Sequence, residues 1–339
     1  MIRKVYRIPS AGNTNHLKLV EESISSPKAD EVQIQIHAIG LNFADIFALT
    51  GLYSATPKGS FIPGLEFSGE IIEVGSNVVS YQKGDKVMGV TRFGAYASHI
   101  NSLTDFIHPL PQDWSYAEGS AFIAQALTAY YALLPLGNLK KEQTVLIHSA
   151  AGGVGVQANR IAKHFGAYTI GSIGSPSKIP FLKEEGYDAW IVRSPSFSKD
   201  LEASLKGREL NLVLECIGGR IFEESYRALG SGGRIVTYGS ANFTPTGSNP
   251  DWLSVAWNYL FRPKLDPLQM TTENKSVMAF NLIWMWDKKE ELNAMLTELL
   301  NLGLPPQKIG RIFPFQEAHS ALEFFRSGAS IGKIVLELN

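Results

Sequence analysis

The stretch TVLIHSAAGGVGVQANRIAKHFGAYTIGSIG, residues 144–174, reads as strand, tight turn, helix, strand. Val145, Leu146 and Ile147 form an unbroken apolar run, the pattern of a parallel strand covered on both faces. Val154, Ala158, Ile161, Ala162 and Phe165 recur at helical spacing and predict a helix with one apolar face. Residues 168–172 predict the next strand. The turn from Ser149 to Gly155, SAAGGVG, puts Ala150, Gly152 and Gly155 in the three small-residue slots of a dinucleotide-binding fingerprint, with Ala151, Gly153 and Val154 between them. Ala150 sits in the tight turn. Gly152, lacking a Cβ, lets backbone approach a pyrophosphate, and Gly155 lets the helix pack close to the strand. The helix start then offers unpaired N–H groups and a positive dipole end to phosphate. The alternative is an ordinary glycine-rich turn without a ligand; a strand before and a helix after favour the fingerprint.

The second strand selects the nucleotide. An acid about 20 residues past the turn would hold a ribose 2′-hydroxyl and repel a 2′-phosphate. Here the strand runs out as GSIGSPSK, residues 171–178, with no acid. Ser172, Ser175 and Lys178 stand there instead, and Arg193 follows the next strand. Hydroxyls and cations suit a phosphate, so NADPH is the expected cofactor. The alternative for Lys178 and Arg193 is a solvated surface charge.

Working outward, LVLEC (212–216) and GRIVTYG (233–239) predict further strands separated by a helix, which makes the middle of the chain a doubly wound α/β domain. The first third reads differently. Val32, Ile34, Ile36 and Ala38 alternate with Gln33, Gln35 and His37, the period-2 pattern of a half-buried strand. Residues 67–75, 85–92 and 94–100 predict more short strands with glycine-rich joints, hence a small β-barrel. Residues 116–134 predict one helix, and residues 241–267 a loop-rich segment carrying Trp252, Trp257 and Phe261. That segment is expected either to cap a pocket or to pack in a core or between subunits. The tail predicts helices over 290–300 and 317–326 and a last strand, KIVLEL, that rejoins the N-terminal β domain. The division expected is 1–122 with 284–339 for the β-barrel domain, and 123–283 for the dinucleotide domain.

Composition narrows the class. The 339 residues are 45% hydrophobic and 19% charged, with a formal net charge of −1, so no nucleic-acid footprint or polybasic membrane anchor is expected. The lone cysteine, Cys216, has no internal disulfide partner, and the N-terminus lacks the apolar run of a signal peptide; a cytoplasmic location is the expectation. No stretch is expected to reach the roughly 20 apolar residues of a membrane span.

Several motifs together carry a resemblance: GLNFADIFALTGLY (40–53), IPGLEFSGEIIEVG (62–75), KGDKVMG (83–89), AAGGVG (150–155), GGRIVTYG (232–239) and GKIVLEL (332–338). With these, nearly the whole chain resembles the quinone oxidoreductase branch of the medium-chain dehydrogenase/reductase superfamily, and within it the vesicle amine transport-1 homologues. The resemblance implies a GroES-like β-barrel domain, a Rossmann domain, NADPH in the cleft between them, and a homodimer that extends the Rossmann sheet through KSVMAFNLI (275–283). It also implies that Ile217, Gly218, Tyr238, Gly239 and Ser240 line the cofactor, and that Phe280 and Leu282 offer backbone groups to the nicotinamide amide. Lys333 is expected near the cleft, with a surface lysine as the alternative. Zinc-dependent relatives place Cys where this chain has Asn42 and His where it has Leu65. Neither is a credible zinc ligand, residues 90–120 contain no Cys, and no pair among the seven histidines has metal-site spacing. A zinc-free site is expected.

Without zinc, hydrogen-bond donors must stabilise the charge that collects on a substrate oxygen. By resemblance Tyr53, Asn42 and Thr128 are the catalytic candidates. The alternatives are a packed aromatic for Tyr53 and a local backbone-bonding role for Asn42, while Asp45 reads as structural. The expected activity is NADPH-dependent reduction of a small-molecule quinone or α,β-unsaturated carbonyl. The competing readings are an NADPH-binding interaction protein with vestigial catalysis, and a 2-enoyl thioester reductase. The last would want a basic entry, and only Lys58 lies in residues 40–60.

Overall fold

The computed structural model describes residues 1–245 and 247–338. The apolar run at 145–147 becomes the strand Thr144–His148 inside a six-stranded sheet. Along that sheet the order is Ala189–Val192, Tyr168–Ile173, Thr144–His148, Leu210–Glu215, Leu229–Thr237, Ser276–Ala279, and every ladder is parallel. Both faces are buried, as the run requires. Val145, Ile147, Leu212, Leu214 and Val236 pack into one core, while Leu146, Ile170, Val213 and Ile235 pack into another. Each such side chain contributes about 1.5–3 kcal/mol when fully buried. The helix Gly153–His164 covers the first of these faces with Val156, Ala158, Ile161 and Ala162. Strand order reverses beside Thr144–His148, which opens a crevice at the C-terminal strand ends.

The barrel domain centres on Glu31–Gly40, which pairs antiparallel with Glu66–Val74, His99–Leu103 and Lys333–Glu337. The C-terminal strand therefore completes the N-terminal domain, with Val335 opposite Gly40 and Leu336 opposite Ile39. Its start also touches the other domain. Gly332 N–H donates to Ala151 O at 2.7 Å, and Gly332 bridges Gly152 in parallel register. The last strand is thus fastened to the phosphate turn, and this contact defines the cleft.

Several expectations need correction. The helix predicted over 116–134 divides into Tyr116–Gly119 and Ile123–Tyr131, followed by a π-turn Ala132–Leu136 containing Pro135. Gly119 sits where a Cβ would lie 2.3 Å from Leu110 Cδ1, and Pro135 has no N–H for the α-helical ladder. The whole of Tyr116–Leu136 is nevertheless long and apolar enough to cross a membrane by length and composition, contrary to the sequence expectation, and 61% of its apolar window is buried inside the protein. Residues 94–98 do not form a strand; Ala97 makes an isolated bridge to Val5, and the strand starts at His99. The segment expected to be loop-rich, residues 241–267, holds the helix Trp252–Leu260, and a second helix, Pro267–Glu273, starts at its last residue. Asp251 caps the first through Leu253 N–H and Ser254 N–H, and Asp266 caps the second through Leu268 N–H.

Candidate active site

A cavity of about 720 Å³ lies between the two domains. The phosphate turn forms one end of it. Ser149 takes a left-handed φ of 50°, Gly152 N–H donates to Ser149 O at 2.8 Å, and Val156 N–H begins the helix ladder by donating to Gly152 O at 3.0 Å. Gly155 has no room for a side chain: a Cβ would stand 2.6 Å from Ser149 O and 2.7 Å from Ala150 Cα. Gly152, Gly153, Val154 and Gly155 line the cavity, while Ala150 and Ala151 are buried behind them. The turn is a cradle of backbone on the cavity wall, which fits a dinucleotide pyrophosphate.

Beyond the second strand the cations do gather. Arg193 donates to Ser172 O at 3.3 Å and to Ser172 Oγ at 3.4 Å. Lys178 Nζ donates to Gly328 O and Ser330 O at 2.6 and 2.7 Å, so it also ties the domains together. Burial, and then the charge of Arg193, pull the Lys178 ammonium below its ordinary value. Arg193 is itself pulled down by burial and held up by Cys216 and Glu215 nearby, and none of Ser172, Ser175, Lys178 and Arg193 lines the cavity. Ser175 Oγ is 2.8 Å from Ser177 Oγ beside them.

The other expected cofactor contacts divide. Tyr238, Gly239, Ser240, Phe280 and Leu282 line the cavity. Ile217 and Gly218 do not, and their N–H groups already donate to Glu215 Oε1 at 2.7 and 2.8 Å. Phe280 N–H is spent on Thr237 O at 3.1 Å, which leaves its carbonyl oxygen, and Leu282 N–H, for a ligand. Trp252, Trp257 and Phe261 are 64%, 64% and 63% exposed and stand outside the cavity, so they neither cap it nor pack in a core.

The three candidate donors all reach the cavity, but each has its hydrogens committed elsewhere. Thr128 Oγ1 donates to Ala124 O at 2.6 Å, back along its own helix. Asn42 Nδ2 donates to Gly40 O at 3.2 Å and Glu66 Oε1 at 3.1 Å. Its Oδ1 accepts from Lys333 Nζ at 2.8 Å and from Gln125 Nε2. Tyr53 OH donates to Asn281 Oδ1 at 3.0 Å, and burial raises its pKa, which makes it a weaker acid than a free phenol. Lys333 is no surface lysine. It is buried against Glu66 and reaches the cavity wall. Burial pulls its ammonium down, and contact with the Glu66 carboxylate works against that. Asp45 is fully buried, accepts from Asn42 N–H at 2.8 Å and Tyr96 OH at 3.3 Å, and is pushed up to about 7 by burial. Its role is structural, holding the turn that presents Asn42. Gln125 and Asn281 carry no motif signal of their own; only the fold brings them here.

The far wall is apolar. Phe43, Phe47, Leu65, Val90, Leu127 and Trp286 contribute to it. Trp286 stacks on Phe106 with ring centroids 4.0 Å apart. Arg92 reaches over Trp284 and Trp286, and Trp284 Nε1 donates to Ser54 Oγ at 3.2 Å.

Comparison with known proteins matches these two parts to two families. Residues 28–112 match the alcohol dehydrogenase GroES-like domain, and residues 153–281 match the zinc-binding dehydrogenase family. A quinone oxidoreductase-like protein 2 homolog from Nematostella vectensis is 33% identical over 245 residues, 71% of this chain and 67% of its own length. The chain belongs to the medium-chain dehydrogenase/reductase superfamily. The synaptic vesicle membrane protein VAT-1 homolog of Mus musculus is 29% identical, over 92% of this chain and 77% of its own length. Among solved structures, Escherichia coli quinone oxidoreductase complexed with NADPH superposes with a TM-score of 0.85 at 27% identity, covering 99% of this chain and 100% of that one.

Zinc, which the name of one matched family implies, does not fit this member of the superfamily. The zinc-ligand positions hold Asn42 and Leu65, and a fixed Lys333 cation already occupies the oxygens of Asn42 and Glu66. A dication placed there would meet an ammonium and no thiolate or imidazole. Among the described residues no three His, Cys, Asp or Glu converge as a metal site.

Proposed function

We propose that this protein uses NADPH to reduce a neutral, largely apolar quinone or α,β-unsaturated carbonyl compound, without zinc. The observation that carries the reading is a single cavity that joins the glycine cradle to an apolar chamber. The solved Escherichia coli quinone oxidoreductase–NADPH complex, of the same fold, supports it. The residues that would hold the cofactor are the Gly152–Gly155 turn for the diphosphate, Ser172, Ser175, Lys178 and Arg193 for the 2′-phosphate, and Tyr238, Gly239, Ser240, Phe280 and Leu282 along the nicotinamide half. When bound, NADPH supplies the hydride, and the chemistry of the transfer is the cofactor's own. The protein's contribution is to orient the acceptor and to exclude water. Leu65, Val90 and Trp286 give a flat acceptor an apolar wall, and Arg92, over Trp286 and 3.5 Å from Ile283 O, holds that wall in place. We also read the open edge of Ser276–Ala279 as the contact with a second copy of the chain.

The test is NADPH consumption with a panel of quinones, enones and enoyl thioesters, alongside NADPH and NADH binding by calorimetry. Turnover with quinones or enones and a preference for NADPH are expected. Tight NADPH binding with no turnover on any acceptor would leave an interaction protein. Faster turnover on enoyl thioesters would move the substrate class, and a preference for NADH would overturn the cofactor assignment.

A further inference from the structure

Reduction of a conjugated carbonyl needs a hydrogen-bond donor at its oxygen, and the three residues the sequence offers have none to give. Thr128 spends its proton on Ala124 O, Asn42 both amide hydrogens on Gly40 O and Glu66, and Tyr53 its proton on Asn281. Thr91 at the same wall donates to Phe93 O at 2.8 Å. Asn281 differs. Its Oδ1 accepts from Tyr53 OH at 3.0 Å and from Ile283 N–H at 3.4 Å. Two donors on that oxygen fix which way the amide points. Its Nδ2 has no hydrogen-bond partner among the described residues, and it is not a buried orphan either, so it is open to a ligand. Asn281 lines the cavity and directly follows Phe280. Gln125 is the other amide on the cavity, but it lies under Gly153 of the phosphate turn, where a Cβ would be 2.8 Å from its Oε1.

We propose that Asn281 Nδ2 is the donor to the substrate carbonyl oxygen and that Tyr53 is a positioning residue that holds Asn281 for this task. The inference rests on the reductase reading above. As the substrate carbon gains a C–H bond from the hydride, its π pair moves to the carbonyl oxygen. NADPH is oxidised by two electrons, the acceptor is reduced by two, and the proton that neutralises the oxygen comes from water. Asn281 shares its hydrogen with that oxygen and does not transfer it. An amide fixed in advance by Tyr53 and Ile283 needs no reorientation as charge develops, which is where such donors act.

The experiment compares wild type with N281A, N281D, N281Q and Y53F. Three quantities are read: kcat and KM for a quinone with their pH profiles, NADPH dissociation by its fluorescence, and binding of para-nitrophenolate, a stable aromatic oxyanion. N281A is expected to lower kcat about 100-fold, the usual loss for one oxyanion donor, with NADPH affinity kept. N281D is expected to lose more, because a carboxylate repels the developing charge, and N281Q to recover part of the loss. Nitrophenolate binding should weaken in the same order. Y53F should lose about tenfold or less, with the shape of the pH profile unchanged. Wild-type kcat in N281A and N281D, with a loss of about 100-fold and of the alkaline limb in Y53F, would overturn the assignment and make Tyr53 the proton donor. Equal losses of kcat and NADPH affinity in N281A would also overturn it, making Asn281 part of the cofactor scaffold. An inactive wild type would fail the reductase reading alone. The nitrophenolate arm then still decides, since equal binding by every variant would sink the Asn281 assignment.

Discussion

Lys333 and Glu66 have side-chain exposures of 2% and 1%, so neither charge is repaid by water. Removing one partner of such a pair leaves the other unpaired and costs roughly 3–5 kcal/mol. K333M should therefore lower stability by about that much in chemical denaturation, and adding E66Q should restore much of it. An unchanged midpoint in K333M would mean that Lys333 and Glu66 do not form a buried ion pair. Glu215 behaves in the opposite sense to an exposed acid. Burial pushes it up to about 7 from its ordinary 4.5, against the N–H groups of Gly218 and Ile217 and the charge of Arg193. Between these values the unfolded chain has released the proton while the folded chain still binds it, so stability falls as pH rises from 4.5 to 7 and then levels. At about 1.4 kcal/mol per unit, the drop is roughly 3 kcal/mol. E215Q keeps an oxygen for both N–H groups and should remove Glu215's share of the slope in thermal melts at pH 5 and 8, leaving the opposed shares of Asp45 and His148; the same pH dependence in wild type and E215Q would show that Glu215 does not titrate in this range. Asn42, Tyr53, Thr128 and Lys333, read from the sequence, line the cavity, but the direction of their protons was not legible there. Asn42 meets Lys333 across 291 positions of chain, and no local pattern encodes which oxygen an ammonium chooses.

The phosphate turn was the most legible element, because its glycines answer to local geometry. Gly155 and Gly153 differ in a way that only the fold reveals. An alanine Cβ at 155 meets backbone, at 2.6 Å from Ser149 O, whereas at 153 it meets the end of Gln125 at 2.8 Å. Backbone in a strand-to-helix turn cannot yield, and a glutamine side chain can. G155A should weaken NADPH binding at least tenfold and cost about 1–3 kcal/mol, while G153A should cost less in both. Calorimetric titration and denaturation of the two variants check this, and equal losses would refute the distinction. The helices Trp252–Leu260 and Pro267–Glu273 were missed for a physical reason. In the first, Ser254 and Asn258 stand amid large apolar side chains that lie in water, so it reads as a buried segment, and the visible signals were the caps, Asp251 for the first helix and Asp266 for the second.

At the scale of the molecule, the return of the last strand to the barrel was readable from its late position, whereas its fastening to the phosphate turn through Gly332 was not. The same scale explains why the helix Trp252–Leu260 leaves large apolar side chains in water. Ser276–Ala279 has a neighbour on one side only, which leaves a row of backbone groups open, and such edges are normally paired or covered. On the two helices that precede this strand in the chain, Trp252, Leu253, Trp257 and Leu268 are 64%, 86%, 64% and 77% exposed, and large apolar side chains left in water mark an interaction surface. A second copy meeting edge to edge would pair the strand and bury these side chains in one step, by the self-complementary contact typical of homodimers. Light scattering on wild type should give twice the chain mass at micromolar concentration. L253E with W257E puts two charges on positions already in water within one chain, so the monomer should fold while the dimer fails. Asn281 and the open Leu282 N–H follow that edge strand directly, so the monomeric variant should also lose kcat, with the phosphate turn and its NADPH affinity less affected. A wild-type monomer, or a double variant that stays dimeric, would send this surface to a different partner.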